Sequence, residues 1–423
     1  MSKQSTETVT GNDILLKQPV VSIGLCGHVD HGKTTLLEKL SGKWADTHSE
    51  ELKRGITIRL GYADVVFRKC EQCGEYAYTA QEKCATCNGE TMPVRKVSFV
   101  DAPGHESLMA TMLSGAAIID GALILISATE KCPQPQTREH LTALGIIGIK
   151  NIVVVQNKID LVDRETAINN YNEIKEFLKG TVYENAPIIP ISAQYGANID
   201  KLVWAIEKYI PTPERDLSKD PLMLVARSFD INKPGTYPKD MRGGVLGGAL
   251  KVGVLKIGQD IEIRPGRLVE EKNQKIWKPL TTKIAGVATG GLNVKEVMPG
   301  GSFGLLTTLD PSIVKSDSLT GAIVGLTGTL PKVWDELFLD TKLLERVVGT
   351  KEELTVEPIR MNEILMLNVN SAATAGMVYE IAKNKIKIRL KLPVCAEEGS
   401  RVTISRRVVN RYRLIGYGIL LRK

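Results

Sequence analysis

The chain has 423 residues and a formal net charge of +7, and 43% of its residues are hydrophobic and 24% charged. These proportions are ordinary for a globular protein, and the length suggests roughly two to four domains. No run of about 18 apolar residues occurs, so we expect no membrane span.

Residues 1–11, in the N-terminal tail at 1–17, are polar and have no apolar core of the kind that a signal peptide needs. We therefore expect a flexible tail and a cytoplasmic protein. Seven cysteines in that compartment favour metal binding or buried thiols over disulfides.

The first motif follows an apolar run at residues 20–26, where GHVDHGKT at 27–34 leads into a helix-like run at 34–40. The spacing matches G-x-x-x-x-G-K-[ST], and strand, loop and helix are the context in which this pattern binds phosphate. Glycines allow backbone N–H groups to surround phosphate oxygens, and the helix N-terminus adds partial positive charge. The motif predicts a nucleotide site in which Lys33 reaches the β- and γ-phosphates and Thr34 binds Mg²⁺.

The charged stretch at residues 50–58 contains a glycine turn at Gly55 and a threonine at Thr57. A threonine hydroxyl here can give Mg²⁺ a second ligand and sense the γ-phosphate. By itself the stretch indicates only a charged loop.

Two C-x-x-C pairs come next, Cys70 with Cys73 and Cys84 with Cys87, and ten residues separate the pairs. Four thiolates at such spacing are typical of a tetrahedral zinc site, and a full set of four leaves no open position for catalysis. We therefore predict a structural zinc knuckle at residues 68–92, with unligated buried thiols as the alternative.

An apolar strand at residues 97–100 ends at Asp101, and residues 101–104 read DAPG. A carboxylate at the end of such a strand can hold Mg²⁺ through water, and Gly104 can offer its N–H to a γ-phosphate. An ordinary turn would explain the same four residues. Their place on the next buried strand after the glycine loop favours the nucleotide site.

The segment that indicates the base follows a strand at residues 152–156 and reads NKID at 157–160. A carboxylate at Asp160 can accept hydrogen bonds from guanine N1 and N2 together. Adenine would leave it unpaired, at a cost of roughly 1–3 kcal/mol. Residues 192–194 (SAQ), after a strand at 188–191, can supply a backbone N–H to guanine O6, so we predict a guanine nucleotide.

These apolar strands alternate with amphipathic helical runs, such as residues 167–178 and 199–209. Near-continuous apolar strands separated by helices predict a parallel sheet covered on both faces. We therefore predict a doubly wound α/β domain at residues 18–210, with ligands bound at the carboxyl ends of its strands.

A proline-punctuated boundary at residues 211–216 ends this pattern. Short β-type runs and glycine turns predict one antiparallel β-barrel at residues 211–330 and a second at 331–423. The last segment carries 17 Lys+Arg against 11 Asp+Glu, which suits an RNA partner or a solvated basic face.

The ordered motifs resemble those of translational GTPases, the class of elongation and initiation factors, over nearly the whole chain. The resemblance implies a P-loop GTPase domain followed by two β-barrels, with hydrolysis of GTP to GDP by positioning and charge stabilisation. In that family the position of Thr57 lies in switch I, residues 101–105 open switch II, and His105 orients the attacking water. The implied GTP contacts are Asp30, His31, Gly32, Lys33, Thr34, Thr35, Gly104, Asn157, Lys158, Ile159, Asp160, Ser192, Ala193 and Gln194. The implied magnesium ligands are Thr34, Thr57 and, through water, Asp101, with Asp30 and Gly55 at a second ion.

The cysteine insertion is not a feature of elongation factor Tu, and it resembles that of the gamma subunits of archaeal and eukaryotic translation initiation factor two. The segments at residues 48–57, 133–140, 227–235 and 343–349 agree with that family, and the short N-terminus resembles its archaeal form. This resemblance implies a heterotrimer with alpha and beta subunits and GTP-dependent binding of methionylated initiator tRNA. It also implies delivery of that tRNA to the small ribosomal subunit and release after GTP hydrolysis.

Two other interpretations stay open at this point. One is another tRNA-carrying translational GTPase, such as the selenocysteine-specific elongation factor, against which the cysteine insertion argues. The other is a scaffold subunit that holds nucleotide without hydrolysing it, against which the intact Thr57, Asp101 and His105 argue.

Overall fold

The computed structural model describes residues 17–42, 61–101, 113, 118–233, 235–271, 274–347, 354–408 and 411–422. The predicted tail, apart from residue 17, and the predicted site residues Gly55, Thr57, Gly104 and His105 lie outside the described residues.

The N-terminal domain is built on a sheet of seven described strands. They are β1 (Val21–Gly27), β2 (Gly61–Lys69), β3 (Tyr78–Thr79), β4 (Met92–Asp101), β5 (Gly121–Ser127), β6 (Asn151–Asn157) and β7 (Ile188–Pro190). The spatial order is β3-β2-β4-β1-β5-β6-β7. All pairings from β4 to β7 are parallel, whereas β2 and β3 run antiparallel at the edge. The mainly parallel sheet confirms the predicted α/β class, and β2 is a strand that the sequence analysis did not predict.

Four helices within the described residues cover the two faces of this sheet. They are α1 (Lys33–Ser41), α2 (Pro135–Ile147), α3 (Arg164–Leu178) and α4 (Ile199–Tyr209). One buried cluster joins the sheet to α1 and α4 through residues such as Leu37 and Ile206, and another joins it to α2 and α3 through Leu144 and Ile174. Strands β1 and β5 are buried along their whole length because both of their faces are covered. No described helix combines the length and the apolar character needed to cross a membrane.

The middle barrel follows α4 and a proline-containing connection. Its strands are β8 (Leu222–Phe229), β9 (Val245–Val252), β10 (Leu255–Lys256), β11 (Asp260–Glu271), β12 (Gln274–Thr289), β13 (Leu292–Val294), β14 (Glu296–Val297), β15 (Ser302–Thr307) and β16 (Ile323–Leu326), with a short helix α5 (Pro311–Val314). The order β11-β16-β8-β9-β15-β12 closes on itself because β12 also pairs with β11.

The C-terminal barrel is a closed set of six antiparallel strands. They are β17 (Val333–Leu343), β18 (Ile364–Val369), β19 (Ala372–Ala382), β20 (Lys385–Cys395), β21 (Arg401–Val408) and β22 (Arg411–Leu420). Its interior is apolar and includes Leu339, Val378 and Ile404, each fully buried. Two closed antiparallel barrels confirm the predicted fold class.

Both barrels contact the N-terminal domain. The side-chain amide of Gln18 forms hydrogen bonds with the backbone N–H and C=O of Met298, and the hydroxyls of Ser98 and Ser302 lie 3.3 Å apart. Leu414 of β22 is fully buried in the cluster that contains α2. The middle barrel therefore lies against the start of β1, and the C-terminal barrel lies against α2.

Candidate nucleotide site and cysteine cluster

The loop between β1 and α1 needs glycine at its two ends. Gly27 has φ of 141° and Gly32 has φ of 89°, backbone conformations that other residues rarely adopt. A side chain at Gly27 would collide with the carbonyl oxygen of Leu125, and one at Gly32 with the side-chain nitrogen of Asn157. The loop is therefore held close to β5 and β6, where only backbone fits.

Lys33 is the first residue of α1, and its ammonium group lies inside the loop. Its Nζ donates to the carbonyl oxygen of Gly27 at 3.1 Å and to that of His28 at 2.7 Å. The side chain is almost fully buried, at the positive end of the helix. A buried cation beside backbone N–H groups at a helix N-terminus is the arrangement that binds phosphate.

Thr34 and Asp101 bring a hydroxyl and a carboxylate together next to this loop. Thr34 Oγ1 donates to Asp101 Oδ2 at 3.0 Å, and Asp101, the last residue of β4, is fully buried. Oxygen ligands of this kind are those that Mg²⁺ prefers, one held directly and another through water. The donor set therefore fits a magnesium ion bound with a nucleotide.

Asn157 connects the glycine loop to the predicted base-binding segment. Its Nδ2 donates to the carbonyl oxygen of His31 at 2.9 Å, and its Oδ1 accepts from the backbone N–H of Ala193 at 3.0 Å. Both side-chain atoms are used within the protein. Asn157 therefore holds two loops together, and its amide has a second N–H to offer.

The remaining residues that are predicted to bind the base follow the ends of β6 and β7. Lys158 has φ of 64°, which turns the chain into a short 3-10 helix at Ile159–Leu161. Asp160 on that helix is exposed, and Ile159 donates its N–H to the carbonyl oxygen of Ile191 at 3.4 Å. The loop that carries Asp160 therefore lies beside the segment that begins at Ser192.

Among the remaining predicted contacts, Asp30 and Gln194 are exposed, Thr35 is half-buried, and Ser192 is buried. His31 differs, because its ring is fully buried, with Nδ1 2.9 Å from the carbonyl oxygen of Leu125. Its ring is therefore held against β5 by this contact.

One residue that contacts the loop, His140, is absent from the predicted site residues. His140 of α2 accepts a hydrogen bond at Nδ1 from the backbone N–H of Gly27, at 3.0 Å. The one signal for it in the sequence is its place in residues 133–140, a segment that resembles the family. Spacing could not have found it, since 113 residues separate the two partners.

The four predicted zinc cysteines converge at the edge of the sheet. Their sulfur atoms all lie within 4.8 Å of one another, with Cys70 and Cys87 3.5 Å apart and Cys73 and Cys84 3.7 Å apart. A tetrahedral site with zinc–sulfur bonds of about 2.3 Å places sulfurs about 3.8 Å apart. The backbone N–H groups of Cys87 and Thr86 lower the pKa of Cys84 to about 6. Its thiolate, the form that binds metal, is therefore favoured, and the donor set fits zinc.

The cysteine cluster also packs on the body of the domain. The ring of Tyr76, between the two cysteine pairs, meets the ring of Trp204 edge-on at 4.9 Å, and Trp204 lies on α4. Trp204 in turn meets Tyr209 at 6.2 Å. The position of the cluster is thus coupled to an aromatic group that can report on it.

Two family models match the chain. The Elongation factor Tu GTP binding domain matches residues 18–212, and Initiation factor eIF2 gamma, C terminal, matches residues 335–420. With the glycine loop, the Thr34–Asp101 pair and the two barrels, these matches define a translational GTPase, which binds GTP with Mg²⁺ and hydrolyses it.

Full-length relatives give the narrower assignment. The chain is 57% identical over 405 residues to translation initiation factor 2 subunit gamma of Methanococcus maripaludis, covering 96% of this chain and 99% of that protein. It is 60% identical to the protein of the same name from Methanocaldococcus jannaschii and 58% identical to that from Pyrococcus horikoshii, covering 98% of each. The chain belongs to the family of translation initiation factor 2 gamma subunits and is a GTP-binding initiation factor subunit.

Solved structures agree at the level of the fold. A bacterial selenocysteine-specific elongation factor superimposes with a TM-score of 0.71 at 23% identity, over 96% of this chain and 58% of that one. Elongation factor SelB of Methanococcus maripaludis with the GTP analogue GppNHp gives 0.70 at 23%, over 96% of this chain and 79% of that one. Such low identity shows a shared fold alone, whereas the initiation factor gamma subunits match at 57–60% identity, and for that reason the selenocysteine-specific alternative is not favoured.

Proposed function

We propose that this chain joins alpha and beta subunits in a heterotrimer and carries methionylated initiator tRNA to the small ribosomal subunit. The tRNA is held in a GTP-dependent complex and is released after GTP hydrolysis. The observation that supports this most strongly is the identity of 57–60% to initiation factor gamma subunits along nearly the whole chain.

In this proposal the loop at residues 27–34 binds the phosphates. Lys33 contacts the β- and γ-phosphates, and backbone N–H groups of residues 30–35 surround them. The ammonium group of Lys33 is already held by two carbonyl oxygens, so little side-chain entropy is lost when phosphate binds. Mg²⁺, when bound, neutralises phosphate charge; Thr34 holds it directly and Asp101 through water.

Base selection falls to Asp160 and the segment at residues 192–194. The exposed carboxylate of Asp160 accepts from guanine N1 and N2, and a backbone N–H of the segment donates to O6. Asn157 contacts the nucleotide and also holds this segment against the glycine loop. The predicted roles of four other residues complete the site: Thr57 on magnesium, Gly104 on the γ-phosphate, His105 on the attacking water and Gly55, with Asp30, at a second ion.

The zinc site is structural in this proposal. Cys70, Cys73, Cys84 and Cys87 hold one Zn²⁺, and the ion stabilises the segment that packs on Trp204. Four thiolate ligands leave no position for a reacting molecule.

The function is tested with the heterotrimer reconstituted from this chain and the alpha and beta subunits of the same organism. Filter binding compares methionylated initiator tRNA with methionylated elongator tRNA, each in GTP and in GDP. We expect tight binding only for initiator tRNA in GTP. Equal binding of the two tRNAs, or binding that ignores the nucleotide, would overturn the proposal.

A change of base specificity tests the coupling between nucleotide and tRNA. In Asp160→Asn the amide presents a donor where the carboxylate accepted, which suits xanthine, whose O2 is an acceptor. We expect this variant to hold initiator tRNA with xanthosine triphosphate and to lose the response to GTP. The matched control is Asp163→Asn, three residues away, where Asn retains the acceptor that Asp163 offers to the Thr166 N–H. If the control loses the response to GTP equally, Asp160 does not select the base.

A further inference from the structure

The contact between Gly27 and His140 holds the start of the glycine loop. The Gly27 N–H donates to His140 Nδ1 at 3.0 Å, and both residues are buried. An imidazole nitrogen accepts only when it carries no proton. Burial and the nearby Lys33 ammonium lower the pKa of His140 to about 3, so the ring is neutral at neutral pH, and the Gly27 N–H selects the tautomer in which Nδ1 carries no proton.

The same glycine orients the phosphate-binding lysine. The carbonyl oxygen of Gly27 accepts from Lys33 Nζ at 3.1 Å, while its N–H is held by His140. The backbone of Gly27 therefore has a helix on one side and the lysine on the other. Any change in the position of His140 alters the peptide group that positions Lys33.

The residue next to His140 faces the C-terminal barrel. Glu139 is fully buried, and its Oε2 lies 3.4 Å from the guanidinium of Arg413 on β22. A second arginine of that barrel, Arg401, donates to the carbonyl oxygen of Ile146 in the last turn of α2 at 2.6 Å. Helix α2 thus lies between the glycine loop and the C-terminal barrel, and adjacent residues contact the two.

We propose that α2 couples the docking of the C-terminal barrel to the glycine loop, with His140 as the positioning residue for Gly27 and Glu139 with Arg413 as the anchor of the barrel. Removing the barrel's contacts shifts α2, which weakens the hold on Gly27 and displaces Lys33. The inference rests on the nucleotide site proposed above, but the geometry of the loop can be measured without nucleotide.

His140 is tested by rescue. His140→Ala removes the acceptor, whereas His140→Asn places an amide oxygen where Nδ1 lies. We expect His140→Ala to weaken GDP binding about fivefold to tenfold, the equivalent of one lost buried hydrogen bond, and His140→Asn to restore most of it. Hydrogen exchange of residues 24–33 in the nucleotide-free protein should rise in the first variant and return in the second. If both variants behave alike, His140 only fills space.

The coupling is tested from the barrel side. Arg413→Met removes the ion pair while keeping an unbranched apolar stem, and Arg401→Met removes a hydrogen bond made by an exposed residue, at lower risk to folding. The matched control is Arg406→Met, because Arg406 pairs with Glu363 inside the C-terminal barrel.

The measurement for these variants is amide hydrogen exchange at residues 24–33 and 135–147 in the nucleotide-free full chain. We expect both segments to exchange faster in Arg413→Met and Arg401→Met, and to be unchanged in Arg406→Met. If Arg413→Met does not fold, Arg401→Met alone carries the test. Faster exchange at 135–147 with an unchanged glycine loop would overturn the coupling. In the wild-type protein, normal GDP binding without binding of initiator tRNA would count against the proposed function only, because the coupling is judged from hydrogen exchange in the variants.

Discussion

The hydroxyl of Thr34 donates to the carboxylate of Asp101 across 3.0 Å, joining the start of α1 to the end of β4. The two residues are 67 positions apart in the chain. They meet because β1 and β4 are parallel neighbours, which brings their carboxyl ends to one edge of the sheet.

This pair predicts how magnesium dependence responds to substitution. Thr34→Val keeps the shape of the side chain and removes the hydroxyl, so the Mg²⁺ concentration that half-saturates GDP retention should rise about tenfold. Thr34→Ser keeps the hydroxyl and should stay close to the wild type. Titrating Mg²⁺ against retained GDP measures both, and an unchanged midpoint in Thr34→Val would remove the hydroxyl from the metal site.

The close approach of Gly32 to the side chain of Asn157 predicts that a larger residue at position 32 weakens nucleotide binding. In Gly32→Ala the added methyl collides with Asn157, so GDP binding should fall at least about tenfold while the domain stays folded. Gly42→Ala is the control, because Gly42 also has positive φ, 66°, but no heavy atom of the described residues lies within 4 Å of an added methyl. Calorimetry of GDP binding and thermal unfolding compare the two. Equal GDP affinities would show that conformational strain alone, at about 1 kcal/mol, explains the choice of glycine.

Removal of zinc should change the fluorescence of Trp204. Chelation, or Cys87→Ser, releases the segment that holds Tyr76 against the indole, so the emission should shift to longer wavelength as water reaches the ring. The shift should be absent in Trp204→Phe. GDP affinity should change less than about twofold, because the cluster lies at the β2–β3 edge and the glycine loop follows β1. A large loss of GDP affinity on chelation would show that the zinc site also supports the nucleotide site.

The lowered pKa of His140 predicts that the folded protein loses stability in acid. Its pKa is lowered from 6.5 to about 3 by burial, by Lys33 and by the nearby His28 and His31. The unfolded chain takes up a proton below pH 6.5 and the folded chain does not. This contribution is therefore complete above pH 6.5 and is lost as pH falls toward 3, by about 1.4 kcal/mol per unit.

Urea unfolding of the wild type and His140→Asn checks this. Between about pH 7.5 and pH 5, the wild type should lose about 2 kcal/mol more stability than the variant. Parallel curves for the two proteins would mean that His140 is protonated in the folded state as well.

How far the sequence predicts each site depends on the distance along the chain between the interacting groups. The glycine loop and Lys33 lie within eight residues, and the four cysteines within eighteen, so spacing alone indicates their chemistry. The predicted GTP contact of Asn157 stays a prediction, and what the sequence did not indicate is that its side chain also joins His31 to Ala193. Strand β2 was missed because its burial alternates and it pairs antiparallel at the edge, unlike the continuous apolar strands beside it.

The sequence by itself determined the α/β class, the two barrels, the family and the order of the nucleotide motifs, since each depends on local patterns of apolar, glycine and charged residues. Only the tertiary structure decided that His140 holds Gly27 across 113 residues and that Arg413 reaches Glu139 across 274. Such contacts depend on how elements that are distant in the chain pack, within one domain for His140 and between two domains for Arg413. A buried polar group needs a partner, and the local pattern around it does not say which distant group supplies one.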